Sequence, residues 1–160
     1  SLVGSEMCIR DRYRAVLNAS TMARDPANRP LIAKVISPAN YLNQPETVVM
    51  QVLTGKFADG LGNVQNVPDR IDFNPIPWYS MATWMLTQMQ RWGYVKGDVN
   101  YKDISEKVFL LTDAKKYMGE TGIAIPPLAK SGYKKDKIMG KEFDPSKPEA
   151  YLKSFSANKA

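Results

Sequence analysis

The chain has 160 residues, of which 44% are hydrophobic, 24% charged and 10% aromatic, a composition typical of globular rather than disordered or membrane-spanning chains. It contains no histidine and a single cysteine, Cys8, which excludes Ser-His-Asp and Cys-His catalysis, histidine-ligated zinc and an intrachain disulfide. The net charge of +6 permits an anionic partner without identifying one.

Residues 1–12 match no natural structural element. They resemble the translation of a transposase adapter used in short-read sequencing libraries, one frame of which encodes Leu2 through Asp11 without a mismatch. A signal peptide is a poor alternative, because Leu2-Val3-Gly4 is too short for its apolar region. We therefore expect residues 1–12 to be a sequencing artefact that replaces the true upstream sequence, including any leader, lipid anchor or membrane segment.

Three helices are predicted before residue 56. They cover residues 13–24, 28–37 and 45–55; Asp25-Pro26 stops the first, because a residue before proline avoids the α region, and Gly55 stops the third. Three- and four-residue spacing predicts one buried stripe on each helix. The three stripes are Val16, Leu17, Ser20 and Ala23; Leu31, Ile32, Val35 and Ile36; and Val48, Val49, Val52 and Leu53.

The next segment carries turn signals and one candidate strand. Asp59-Gly60-Leu61-Gly62-Asn63 lacks the Gly-Lys-Ser/Thr ending of a phosphate-binding loop and the alternating acids of an EF-hand, so it predicts a surface turn rather than a phosphate or calcium site. Residues 67–74 are bounded by prolines and predict a short strand around Ile71-Asp72-Phe73.

The strongest helical pattern runs over residues 80–92 and ends at Gly93. Its large side chains recur every three or four positions and form a stripe of methionine and tryptophan. An aromatic ligand box is one interpretation, but a core or inter-lobe packing face explains every large residue without a ligand. The stripe consists of Met81, Trp84, Met85, Gln88, Met89 and Trp92.

Two more helices and a lysine-rich tail complete the chain. Asn100 and Thr112 are predicted N-caps, and residues 123–127 an extended exit. The two helices hold Ile104, Val108 and Phe109, and Ala114, Tyr117 and Met118, respectively. Residues 128–160 carry eight lysines against four acids and no arginine, which favours a solvated surface wrap over nucleic-acid or membrane binding. Phe143-Asp144-Pro145 and residues 150–155 provide its apolar anchors.

Four ordered blocks give the chain a resemblance to a known family, over essentially residues 13–160. The blocks are Asp25-Pro-Ala-Asn-Arg29; Tyr41-Leu-Asn43 with Gly55-Lys-Phe-Ala-Asp-Gly60; Trp78-Tyr-Ser80 with Trp84–Gly93; and Phe143-Asp-Pro145 with Pro148–Phe155. With these blocks the chain resembles the C-terminal third of the substrate-binding proteins of nitrate/nitrite and bicarbonate ABC transporters. Met81-Ala82 departs from the family, which often has a polar residue after the serine.

The resemblance implies a two-lobed α/β periplasmic-binding-protein clamp in the intact protein, of which this chain is a mainly helical part with little strand. It implies capture of nitrate, nitrite or bicarbonate in the cleft, without enzymatic activity or cofactor, and delivery to a membrane permease from the periplasm or an outer-surface anchor. The ligand groups of the family lie mostly upstream. We therefore assign no catalytic, substrate-binding or metal residue here, and interpret Trp78, Tyr79 and Lys56 as packing or surface residues.

The resemblance leaves open a second role and implies a division of the chain. The same fold serves cytosolic nitrate sensors that sequester an RNA-binding antiterminator, and sequence without histidine or cysteine cannot separate that role from transport. The division is residues 1–12 as artefact, 13–127 as the helical part of a binding protein and 128–160 as the lysine-rich tail. Without the missing lobe, we expect Trp84, Met85, Met89 and Trp92 to be partly stranded at the surface.

Overall fold

The computed structural model describes residues 2–156, with all their side chains except those of residues 2–7 and 9. The chain divides into two compact units, Ser1–Pro75 and Ile76–Ala160, which we call unit 1 and unit 2. The described residues are mainly α-helical, with four strands of three residues each. The predicted boundary at residue 127 falls inside unit 2 and stays a prediction.

Unit 1 begins with α1 (Leu2–Arg24), followed by a 3-10 turn at Pro26–Asn28, α2 (Arg29–Ile36) and α3 (Glu46–Thr54). The predicted stop after Arg24 is confirmed, and the Asp25 carboxylate accepts the Ala27 N–H at 2.9 Å. The expectation that residues 1–12 form no element is wrong for the backbone, because residues 2–12 continue α1 without a break. Their origin as adapter sequence stays a prediction.

The core of unit 1 lies between α2 and α3 and consists of Ala33, Val49 and Leu53, each at most 5% exposed. Half of each predicted stripe is wrong: Leu31, Val35, Val48 and Val52 are 43–52% exposed. The short Ala33 side chain lets α3 approach α2 closely, so the buried face centres on Ala33 rather than between Leu31 and Val35. On α1, Leu17 and Ala23 are buried as predicted, whereas Val16 is exposed.

A small antiparallel hairpin follows α3, formed by β1 (Lys56–Ala58) and β2 (Val64–Asn66) with Phe57 opposite Gln65. Its tip is the predicted surface turn. Residues 67–74 contain no strand, so the predicted strand at Ile71-Asp72-Phe73 is wrong. Proline at 68 and 75 leaves this short segment without a hydrogen-bonded partner strand.

Asp59 holds the hairpin turn together. One carboxylate oxygen accepts the N–H groups of Leu61 and Asn63 at 2.8 and 3.1 Å, and the other accepts the side-chain amides of Asn63 and Gln65. These four donors favour the charged form, with the Leu61 N–H the largest contribution, and lower the pKa of Asp59 to about 2.

The lowered pKa predicts an acid transition confined to the hairpin. Because the folded-state pKa is depressed, the stabilisation by this carboxylate is fully present above about pH 4 and is lost as the pH falls through about 2. The amide NMR shifts of Leu61 and Asn63 are expected to titrate with that low midpoint, and Asp59→Asn to abolish the titration. A midpoint near pH 4 would contradict the turn geometry.

Unit 2 is built on three helices, α4 (Tyr79–Arg91), α5 (Tyr101–Val108) and α6 (Leu111–Glu120). The predicted cap at Asn100 is confirmed, since its side chain accepts the Asp103 N–H at 3.2 Å. The predicted cap at Thr112 is wrong: the N-cap is Leu110, and α6 begins two residues earlier than predicted, at Leu111. Val108 is also exposed, and α5 buries Tyr101 and Ser105 instead.

The lysine-rich tail folds onto unit 2 through a 3-10 turn at Pro127–Lys130, the hairpin of β3 (Asp136–Ile138) and β4 (Lys141–Phe143), and α7 (Pro148–Lys153). Its predicted apolar anchors are buried, with Phe143 1% and Tyr151 4% exposed. The two rings meet edge to face at 5.1 Å. The Tyr151 hydroxyl donates to the Ile138 carbonyl at 3.0 Å, which fixes α7 against β3.

Candidate functional site

Unit 2 contains a cavity of about 630 Å³, within the size range of small-molecule sites. It lies between the start of α5, the segment before β3 and the turn between β4 and α7. The lining residues are Thr83, Val99, Asn100, Tyr101, Lys102, Tyr133, Lys134, Lys135, Asp144, Pro145, Ser146 and Pro148.

The three lysines of this cavity are all paired with carboxylates. Lys102 contacts Glu106 at 2.8 Å, Lys134 contacts Asp136 at 3.1 Å and Lys135 contacts Asp144 at 2.7 Å. An anion entering the cavity would have to compete with these carboxylates for each ammonium group. The three lysines therefore do not present the uncompensated positive charge that a small oxyanion needs.

Asp144 fixes the turn that leads from β4 into α7. Its carboxylate accepts the N–H and hydroxyl of Ser146 at 2.9 and 2.6 Å in addition to the ion pair with Lys135. The hydrogen bond from the Lys135 ammonium is the largest of the contributions that hold the pKa of Asp144 well below its usual range. Asp144 in turn raises the pKa of Lys135. We did not single out this site from the sequence, although an Asp two residues before a Ser is a signature of such turns.

Tyr133 forms the aromatic wall of the cavity. Its hydroxyl donates to a Glu106 carboxylate oxygen at 3.1 Å, and its ring lies 5.5 Å from the ring of Tyr79. Partial burial, followed by the hydrogen bond to Glu106, raises the pKa of Tyr133 to about 12. The same network lowers the pKa of Glu106, chiefly through Lys102.

The raised pKa of Tyr133 predicts an alkaline transition. The stability that the neutral phenol contributes is fully present below about pH 10 and is lost as the pH rises through about 12. We expect Glu106→Gln to lower the Tyr133 pKa, because it removes the negative charge but not the burial. NMR of ring-labelled tyrosine measures both values, and Tyr133→Phe identifies the resonance. An unchanged pKa in Glu106→Gln would contradict the proposed coupling.

Unit 1 has a more polar cavity of about 490 Å³, lined by Arg24, Arg29, Asp69, Ile71, Asp72 and Phe73. The guanidinium of Arg29 donates to the Leu53 carbonyl at 2.8 Å, in the last turn of α3, where a positive charge is favourable. Arg24 contacts Asp72 at 3.5 Å. These contacts connect α1, α2 and α3 to residues 67–74 and explain why that segment is ordered without a strand.

The three residues that the sequence offered as weak site candidates are not gathered into one site within either unit. Lys56 is exposed on β1 in unit 1. Trp78 and Tyr79 lie at the start of α4 in unit 2, where Trp78 is 7% exposed and the Lys134 ammonium lies 5.3 Å from its ring centroid. This burial fits the interpretation of Trp78 as a packing residue.

Two absences complete the description of residues 2–156. None of the helices there combines the length and the apolar character that crossing a bilayer requires. Among the described side chains, no three acidic or cysteine groups are placed together to hold a metal ion.

The sequence of the chain is similar to those of proteins named for the anions that they bind. The nitrate/nitrite binding protein NrtA of Nostoc sp. is 30% identical over 153 residues, a match that covers 91% of this chain and 34% of the relative. The chain is thus similar to part of a nitrate/nitrite binding protein. The bicarbonate-binding protein CmpA of Synechococcus elongatus is 24% identical, over 91% of this chain and 36% of CmpA. The chain thus spans about a third of the length of these relatives. No protein-family model matches it.

The fold is also similar to that of a solved structure. The crystal structure of the periplasmic nitrate-binding protein NrtA from Synechocystis PCC 6803 matches with a TM-score of 0.81 at 22% identity, covering 91% of this chain and 40% of that one. The predicted fold, a mainly helical part of a periplasmic binding protein, is confirmed.

The nitrate import ATP-binding protein NrtC of Synechococcus elongatus is also 26% identical, over 88% of this chain and 21% of NrtC.

Proposed function

We propose that the chain is part of an ABC-transporter solute-binding protein that captures nitrate, nitrite or bicarbonate outside the cytoplasm and delivers it to a membrane permease. The observation that carries this proposal is the 30% identity with NrtA over nine-tenths of the chain. The match to NrtC, a nitrate import ATP-binding protein, supports an ABC transporter as the partner. The relatives are named as binding and transport proteins, which supports a role in binding rather than catalysis.

Within this function, the chain serves as a brace and not as the anion site. The lysines of the unit 2 cavity are already paired with Glu106, Asp136 and Asp144, and Arg29 donates to the carbonyls of Leu53 and Pro68. A small oxyanion requires directed donors that are not shared with carboxylates. Such donors would come from the part of the binding-protein fold that lies outside these residues.

The proposal is tested with what we call the joined protein. It consists of the part of Nostoc NrtA that precedes the matched stretch, followed by residues 13–160 of this chain. In a Nostoc strain that lacks NrtA, the joined protein is expected to restore nitrate uptake. Intact NrtA is the positive control, and the NrtA part alone is expected to fail. Export of a folded joined protein without nitrate uptake would contradict delivery of nitrate to the permease.

A further inference from the structure

Helix α4 and its C-cap residue Trp92 expose four large apolar side chains, whereas several small residues of the helix are buried. Met81, Met85, Met89 and Trp92 are 36–45% exposed and follow one another at spacings of three and four residues, so they share one face of the helix. We call these four residues the α4 stripe. The sequence predicted that Trp84, Met85, Met89 and Trp92 would be partly stranded at the surface. Met85, Met89 and Trp92 are exposed, whereas Trp84 is half-buried.

The opposite face of α4 packs against α5 and α7 inside unit 2. Ala82, Thr83 and Thr87 are at most 5% exposed, and the Thr83 hydroxyl lies 3.0 Å from that of Ser105 on α5. Trp84 donates to the Tyr151 hydroxyl on α7 at 3.3 Å. These contacts hold the side of α4 that faces α5 and α7.

The exposed part of α4 carries no charge. Arg91 is the single ionisable cation or acid among its 13 residues and is itself 7% exposed, stacked on the ring of Phe155 at 4.0 Å. A solvent-facing helix normally bears charged side chains on its outer face, whereas grouped methionine and tryptophan are typical of interfaces. An uncharged apolar stripe fits another packed protein surface and does not fit an anionic lipid or nucleic acid.

We propose that the α4 stripe is the surface on which the remaining part of the binding-protein fold packs. This inference rests on the proposed function. Its specific support is length: the chain spans 34% of NrtA from Nostoc and 40% of the matched NrtA structure, so most of the family's fold lies outside these residues. An interface of this kind buries methionine and tryptophan at its centre, where they contribute most.

Methionine oxidation tests this directly, because it follows exposure and the chain supplies its own controls. Hydrogen peroxide converts each methionine to the sulfoxide, and mass spectrometry measures the rate at each position. In the 160-residue chain, Met85 and Met89 are expected to react readily. In the joined protein their oxidation rates are expected to be lower by roughly tenfold or more. Met139, 60% exposed, is expected to react in both proteins, and Met118, 2% exposed, in neither.

Three outcomes would overturn the proposal. One is equal reactivity of Met85 and Met89 in the two proteins while Met118 stays protected. Another is protection in the 160-residue chain alone that grows with its concentration, since a second copy would then cover the stripe. If Met118 reacts in the joined protein, the junction has prevented folding, and the experiment is repeated with the NrtA part added as a separate chain to the 160-residue chain. The third outcome is that Met85 and Met89 are not protected in that mixture either.

A matched pair of variants separates the stripe from general stability. M85E/M89E is expected to leave the melting temperature of the 160-residue chain unchanged and to abolish the protection of Trp92 fluorescence from quenchers in the joined protein. M139E, at an exposed turn, is expected to alter neither. Protection of the α4 stripe without anion binding would support this interface and overturn the proposed function. Anion binding without protection of the stripe would support the proposed function and overturn the interface.

Discussion

Gly55→Ala is expected to destabilise unit 1 by roughly 3 kcal/mol or more. Gly55 ends α3 with φ +70° and donates its N–H to the Gln51 carbonyl, a conformation that costs any L-residue free energy. Its carbonyl accepts the Val67 N–H at 2.8 Å. A Cβ atom at this position would overlap the Val67 carbonyl oxygen, and backbone on both sides of the contact leaves no flexible atom to move.

The matched control for this variant is Gly60→Ala in the hairpin turn. Gly60 also has positive φ, +76°, but a Cβ there meets nothing within 4 Å. Gly60→Ala therefore reports conformational strain alone, about 1 kcal/mol. Urea unfolding followed by far-ultraviolet circular dichroism measures both, because all three tryptophans lie in unit 2 and fluorescence would miss unit 1. Equal losses in the two variants would contradict the close approach of residues 55 and 67.

Leu111→Ala is expected to cost about 3 kcal/mol in the stability of unit 2. Leu111 is 1% exposed at the start of α6, and its side chain and the Tyr79 ring crowd the place where Gly132 would carry a Cβ. Gly132 has φ +78°, and its carbonyl accepts the Ser80 N–H at 3.3 Å. Removing the leucine side chain leaves a cavity between α6 and this fixed backbone, which cannot collapse to fill it.

The neighbouring residue provides the control. Leu110 is 61% exposed, and Leu110→Ala is expected to change stability by less than about 0.5 kcal/mol. Tryptophan fluorescence during urea unfolding follows unit 2 selectively, since Trp78, Trp84 and Trp92 all lie there. A comparable loss in both variants would mean that α6 is packed on the other side of its first turn, and that the described core of unit 2 is wrong.

The sequence predicted where helices begin and end better than which faces they bury. Asp25-Pro26, Gly55 and Asn100 act through their own backbone or through a bond to a residue within four positions, so their effect is readable locally. Burial depends on what approaches from elsewhere. On α4 the small residues Ala82 and Thr87 admit α5 and α7 closely, which leaves the larger methionines outside. Residue spacing alone identifies both faces of the helix but cannot tell which of them is buried.

The three-residue strands were missed for a related reason. β2 contains Gln65 and Asn66, which carry little strand preference, and its pairing with β1 is set by the Asp59 turn between the two strands. The cavity of unit 2 is equally non-local, because Lys102, Tyr133 and Asp144 come from separate segments. The family resemblance instead rested on four blocks spread over the chain, and a pattern of that length tolerates errors in any single element.

Isothermal titration calorimetry of the joined protein with nitrate, nitrite and bicarbonate is the most direct test of the claim that these residues brace an oxyanion-binding fold. We expect saturable binding of at least one of the three anions by the joined protein. The 160-residue chain alone and the NrtA part alone are expected to give no heat beyond dilution. Binding of these anions by the 160-residue chain alone, or no binding by a folded joined protein, would contradict the account.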